Sequence, residues 1–296
     1  MKIDVSRYSK EHSFEVDGVS YIGAPRSGTA MFVTRKVGGM VLALKDAERC
    51  LVFAQNGIEV PEEILEKHCF VFSENPQAEY ARLTQLLHDA EEKEMASASF
   101  AVSAEGAHIS SASKIGDDTR IWPGAVIGPG VVIGSHCRIL AGAVISHAVI
   151  GDHVTVGEAA VIGTGAFTMA QDENGDRIRI HSLGRVIIGD HAEIGAQDSI
   201  SRGSGSDTRI DDHVKIDALV YVGHDVHLHR NTEVASRVSI GGFTQVGEGA
   251  YIGLGAAVRN RVTLGAGCFI GMGAVVTKPV DAGVTVAGVP ARPFAP

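Results

Sequence analysis

A mainly β chain, a parallel β-helix preceded by a small α/β domain, is the fold class this sequence predicts. Three observations carry it. From Ile210 to Val275, eleven unbroken hexads each begin with Ile, Val or Leu. The fifth position of each hexad is small or β-branched, as at Val214, Val220, Ala250, Cys268 and Ala274, and the second is often Gly. A period of six excludes one long helix and a plain alternating strand. Fixed repetition at that length is the signature of a β-helix. The large aliphatic points inward, the small residue four later fits the narrow interior, and Gly is expected to relax φ at the corner. Three hexads close one triangular coil, so Val222, Ile240 and Val258 stack and adjoining coils bury one another.

Length and composition agree. The chain has 296 residues, room for two domains, with 36 Gly, 5% aromatics and a net charge of −9. That suits a Gly-rich solenoid and argues against a nucleic-acid partner. Cys50, Cys69, Cys137 and Cys268 show no CxxC or framework spacing. Cys137 and Cys268 fall at fifth positions and read as small core residues. The first residues lack an apolar signal region, and no run approaches the roughly 18 apolar residues of a membrane span. A soluble, cytoplasmic protein is expected.

Residues 1–95 read as the small α/β domain, with possible nucleotide or substrate binding. Short β-like runs cover 13–16, 20–23, 31–37, 40–44, 50–54 and 69–72, with turn signals at Asp17-Gly18 and Asn56-Gly57. Pro61 opens a short helix to His68. A longer one runs from about Pro76 to Glu94 on the stripe Tyr80, Leu83, Leu86 and Leu87. A small-residue linker spans 96–107, and the β-helix 108–278. Its hexads start at Ile109; one rung after Ile145 is a residue short, and Ile150, Val156 and Ile162 restore the period. Residues 163–187 break the pattern as a hairpin projecting from the helix, with Glu173-Asn174-Gly175 at its tip. Ten residues separate Ile200 from Ile210 and must loop out at a corner. The tail 279–296 reads as the cap a solenoid end needs.

The chemistry centres on VGHDVHLH, Val222 to His229. His224 stands at the third position of its hexad, where a side chain leaves the corner instead of filling the core. An imidazole is the natural general base for an amine or hydroxyl attacking a thioester. The competing reading is an exposed surface histidine, like others at corners (His136, His147, His153, His191 and His213). Asp225 beside it would orient or charge the region, although adjacent residues usually point apart. A metal reading also competes. His224 and His229 are five apart, an H-x4-H pair resembling that of the γ-class carbonic anhydrases, with His191 loosely placed as a third ligand.

The stretch 163–229, with its hairpin, LGRVIIGD (Leu183 to Asp190), EIGA (Glu193 to Ala196), the long SRG…DT corner (Ser201 to Thr208) and the GHD histidine, resembles the UDP-3-O-acylglucosamine N-acyltransferases of lipid A biosynthesis. GTAMFV and NPQAEYARLTQLL (Asn75 to Leu87) extend the likeness toward the N-terminus. The resemblance implies a left-handed helix, against the usual right-handed crossover. It also implies a homotrimer, a nucleotide-linked amino sugar as acceptor, an acyl carrier protein as donor, no metal, and His224 as the base. Three departures stand out. Arg261 occupies the place of a second family histidine. Phe32 matches the first of two uracil-stacking aromatics, but Gly38 falls where the second belongs. The ending VVTKPVDAGVTVAGVPAR resembles coenzyme A-dependent hexapeptide sugar acetyltransferases, in place of the family's helical extension.

The sequence reading is therefore an N-acyltransferase with coenzyme A, acetyl-CoA foremost, as the favoured donor. The lipid A enzyme using acyl carrier protein is the alternative, the γ-type zinc enzyme a minor one, and a non-catalytic scaffold a third. Phe32, Arg202, Asp217 and Asp225 are the expected acceptor contacts. Gly241 and Gly242 offer a backbone N–H for the oxyanion, and Lys278 and Arg292 the cations for coenzyme A phosphates.

Overall fold

The computed structural model describes residues 2–293 and divides into two compact units. The last three residues of the expected tail lie outside that range. The larger unit is a left-handed parallel β-helix of three sheets, two of ten strands and one of eight. The hexad spacing becomes register: Val222 pairs with Ile240, and Ile240 with Val258, in successive coils. First-position aliphatics and fifth-position small residues form one continuous buried column, and Cys137 and Cys268 lie in it as free thiols. The short rung after Ile145 leaves Ile133 paired with Ile150 and Ile145 with Ile162, 17 residues apart, and the 18-residue offset returns past the two interruptions, where Ile210 pairs with Leu228.

The second-position glycines are explained by space, not by φ. A Cβ at Gly223 would lie 2.7 Å from the Gly242 nitrogen, and one at Gly247 2.5 Å from the Ala266 nitrogen. The coil above leaves no room for a side chain there. The left-handed backbone falls instead at the fourth position, where Asp225 (φ 57°), Phe243 (60°) and Arg261 (60°) all adopt it. One such row is histidine: His136, His153, His191 and His213 stack ring on ring with centroids 4.9, 4.7 and 4.9 Å apart.

Both ends of the helix extend beyond the expected limits. Residues 96–107 are not only linker: Phe100–Val102 pairs antiparallel with His108–Ser110 and edges the first coil. At the other end Val280 bridges Leu264, and Thr285–Ala287 pairs with Phe269–Ile270, burying Val280 and Val286 in the column. Arg292–Pro293 folds back antiparallel on that strand. The tail thus continues the coil and closes it, because the apolar interior of the last rung needs cover.

The smaller unit comprises Met1–Glu94, Phe167–Leu183 and Ser204–Ser206. Ala30–Val33, Leu51–Gln55 and Cys69–Ser73 form a parallel three-stranded sheet. The run at 40–44 is not a strand but part of a 3-10 segment, Arg35–Asp46. Its buried residues, Val41 and Leu44, are spaced at the three-residue period of that helix. The run at 20–23 makes only isolated bridges. Helix α1 covers Glu62–Leu65 and α2 Pro76–Ala96. Tyr80, Leu83 and Leu87 of α2 are buried, whereas Leu86 is about half exposed, because the 3.6-residue period turns it away from that stripe.

The predicted hairpin forms, Met169–Gln171 against Arg177–Arg179, but it does not project freely. Ala170 and Ile180 are buried with Tyr80, Leu83 and Phe53, and Asn75 Nδ2 donates to the Gln171 carbonyl at 2.7 Å. An apolar strand face needs a partner, and the α2 cluster supplies it. Among the described residues no helix is long and apolar enough to cross a membrane.

Candidate active site

Asp225 decides how His224 stands. Its left-handed φ turns the carboxylate back along the chain, so the neighbours meet: Asp225 Oδ2 lies 2.7 Å from His224 Nδ1. The expectation that adjacent side chains diverge holds for extended backbone and fails at this corner. The Asp225 side chain is 1% exposed and the imidazole 17%. Facing a buried carboxylate, Nδ1 carries the proton and donates, and Nε2 keeps its lone pair. The Asp225 N–H in turn donates to Thr208 Oγ1 at 2.8 Å.

Thr208 is why the long corner matters. Arg185 N–H donates to Asp207 Oδ1 at 2.8 Å, Thr208 N–H to the Arg185 carbonyl at 2.9 Å, and Arg202 Nε to the Gly184 carbonyl at 2.6 Å. The LGR and SRG…DT stretches therefore brace one another and hold Thr208 beneath Asp225. Arg202 is 4% exposed and its Nε bond makes it part of this brace, not an exposed corner charge.

The far side of the imidazole rests on the next coil. A Cβ at Gly242 would come within 2.6 Å of His224 Nε2, so the ring occupies space that only Gly leaves open. Phe243 meets the ring edge-on at 5.1 Å, and the Arg261 guanidinium lies over the Phe243 ring, 4.1 Å from its centroid. Spacing gave no sign of Phe243. Arg261, a departure from the family pattern, lies against the face of that phenyl ring. Of the two glycines offered for an oxyanion, Gly241 donates its N–H to Val258 at 2.8 Å within the ladder. Gly242 N–H makes no hydrogen bond among the described residues.

The remaining expected residues have the following surroundings. Asp217 is exposed, but its carboxylate accepts from Ser236 Oγ and from the Ala218 N–H at 2.8 Å. Those bonds hold it below the usual carboxylate range, so it is a corner cap. Phe32 lies in the smaller unit, half-buried, with Tyr80 5.1 Å away at 48°. Gly38 faces Ile58. Lys278 and Arg292 are exposed, and Arg292 Nη1 donates to the Ala291 carbonyl at 3.1 Å.

The γ-type metal trio does not assemble within the chain. His224 engages Asp225, and His191 stacks between His153 and His213. His229 turns to Asp211, with Nδ1 3.4 Å from Oδ2. Asp211 also holds His227, whose Nε2 is 2.8 Å from Oδ1. This second cluster escaped sequence reading, although its signal was present: Asp211 lies one 18-residue coil before His229.

Residues 112–147 match the bacterial transferase hexapeptide (six repeats) model, and 244–278 the model for the hexapeptide repeat of succinyl-transferase. The solved UDP-N-acetylglucosamine acyltransferase from Campylobacter jejuni superposes with TM-score 0.58 at 25% identity, over 64% of this chain and 73% of that one. The Francisella novicida UDP-N-acetylglucosamine acyltransferase shares the fold at TM-score 0.59 and 24% identity, over 66% and 70%. In class, then, this is a hexapeptide-repeat protein built like the acyltransferases. Within that class its sequence is similar to the UDP-3-O-acylglucosamine N-acyltransferases. The Caulobacter sp. (strain K31) protein is 40% identical over 117 residues, covering 40% of this chain and 34% of the relative. The Rhizobium meliloti protein is 45% identical over 128 residues, covering 43% and 36%. The match spans about a third of the length of these relatives.

Proposed function

We propose that this chain is an N-acyltransferase that moves an acyl group from a thioester to the amine of a UDP-linked amino sugar. The observation that carries the reading is His224, held through Nδ1 by a buried carboxylate with its other nitrogen directed over the Gly242 corner. The acceptor amine attacks the thioester carbonyl as Nε2 removes its proton. The Gly242 N–H is the candidate donor to the tetrahedral oxyanion. Collapse expels the thiolate, which takes the proton back from the imidazolium. Asp225 stabilises that imidazolium and fixes its tautomer.

For the donor we favour an acyl carrier protein thioester over the coenzyme A first expected. The named likeness to UDP-3-O-acylglucosamine N-acyltransferases supports it. So does the C-terminal segment, whose residues 280–293 are engaged in closing the helix. A homotrimer is part of the same reading. One sheet presents half-exposed or exposed small apolar residues outward (Val126, Val144, Val161, Ala257 and Val275), a face suited to burial between copies.

The deciding assay presents a UDP-3-O-acylglucosamine acceptor with 3-hydroxyacyl carrier protein and, separately, with acetyl-CoA. Turnover with the carrier protein supports the reading. Turnover with acetyl-CoA alone returns the donor to coenzyme A, and failure with both removes the acyltransferase proposal. Light scattering during gel filtration should give three times the 31.0 kDa chain mass, and a monomer would sink the trimer.

A further inference from the structure

We infer that Asp211, His227 and His229 form a binding site for a first-row divalent transition metal, with zinc the ion its ligands fit. The three side chains belong to two consecutive coils. Arg209 pairs with His227 and Ile210 with Leu228 in parallel register, which sets Asp211 directly under His229. Their ligand atoms lie within 4.8 Å of one another. His227 Nε2 is 2.8 Å from one Asp211 oxygen, and His229 Nδ1 3.4 Å from the other. Bonds of about 2.1 Å to one zinc ion place cis ligands roughly 3.0–3.5 Å apart, so the metal requires little movement. The two imidazoles stand close, with centroids 3.8 Å apart at 31°.

Two imidazoles and a carboxylate are a donor set for zinc, cobalt(II) or iron(II), and too nitrogen-rich for calcium or magnesium. All three residues are partly exposed, so an ion reaches them without opening the core. In the coil above, Gln245 pairs with His227 and Val246 with Leu228, which sets Gly247 over His229 with no side chain to cover it. Three protein ligands leave at least one coordination position, which water fills. The consequence is a staple: the ion joins Asp211 to the coil that carries His224, on a different set of atoms from the proposed base. His224 and Asp225 are engaged with each other and are not ligands.

The test uses the full chain without a histidine tag, stripped with chelator. Cobalt(II) absorbance and zinc calorimetry should each give one equivalent per chain. His227→Ala and His229→Ala should each weaken binding at least tenfold, and Asp211→Asn likewise. His191→Ala, which opens the stacked histidine row, should leave affinity unchanged; that row is the other source of imidazole. Zinc should raise the melting temperature of the parent and of His191→Ala, but not of the His227→Ala/His229→Ala double variant. Circular dichroism confirms that each variant is folded. Saturable binding that survives in the double variant, or no saturable binding by the parent, overturns the proposal.

Discussion

At the scale of single residues, the proposed chemistry rests on the direction of one hydrogen bond. The Asp225 carboxylate accepts from Nδ1, so Nε2 is the basic nitrogen. His224→Ala should lower kcat by roughly 10²–10⁴-fold in a variant that circular dichroism shows to be folded, since general-base contributions are of that size. Asp225→Asn is the sharper test. Asn tolerates the left-handed backbone that Asp225 adopts, so the corner should survive. Its amide can instead donate to Nδ1 and hold the wrong tautomer. Loss of kcat of the order of 10²–10⁴-fold is expected, with KM little changed and an altered pH–rate profile. A variant with normal kcat would show that the pair is structural.

At the scale of the hexad corner, two adjacent glycines do different work. A Cβ at Gly241 would lie 2.4 Å from the Asn260 nitrogen, a backbone atom of the next coil that cannot yield cheaply. Gly241→Ala should therefore lower the melting temperature by several degrees, as a clash of about 1–3 kcal/mol does. The atoms nearest a Cβ at Gly242 are those of the His224 ring, the far end of a side chain. Gly242→Ala should leave the melting temperature nearly unchanged and lower kcat at least tenfold by displacing the imidazole. Equal effects on stability in both variants would contradict that division.

At the scale of the whole molecule, Asp198 sets a pH dependence. It is fully buried, with its oxygens accepting the Gly195 and Val220 N–H groups at 2.8 Å. Burial pushes its carboxyl up from 3.8 to about 6 in spite of those bonds. The folded state then holds this proton more tightly than the unfolded chain. Its contribution to stability is largest below pH 3.8 and is lost as pH rises through 6, a change on the order of 3 kcal/mol. Asp198→Asn removes that slope. Parallel urea titrations at pH 5 and pH 7 should find the variant further below the parent at pH 5 than at pH 7. A gap that widens toward pH 7 would refute the assignment.

The sequence by itself determined the repeat, the coil, the core positions and the identity of His224 as the residue to watch. A hexad is a local steric rule written into every rung, so spacing alone reveals it. Tertiary structure decided what spacing does not encode. The second-position glycines answer to the backbone of the coil above, which only stacking brings near. Arg202 is buried because the Gly184–Arg185 and Gly203–Thr208 segments close on each other across the long corner. The hairpin joins the smaller unit because its apolar face finds the α2 cluster. His224 and Asp225 meet because one backbone angle is positive, and Asp211 meets His227 and His229 because a coil separates them in sequence and nothing separates them in space. These are contacts made across coils or by unusual dihedrals: the 18-residue coil spacing is legible in the sequence, but which side chains meet across it is set by the fold.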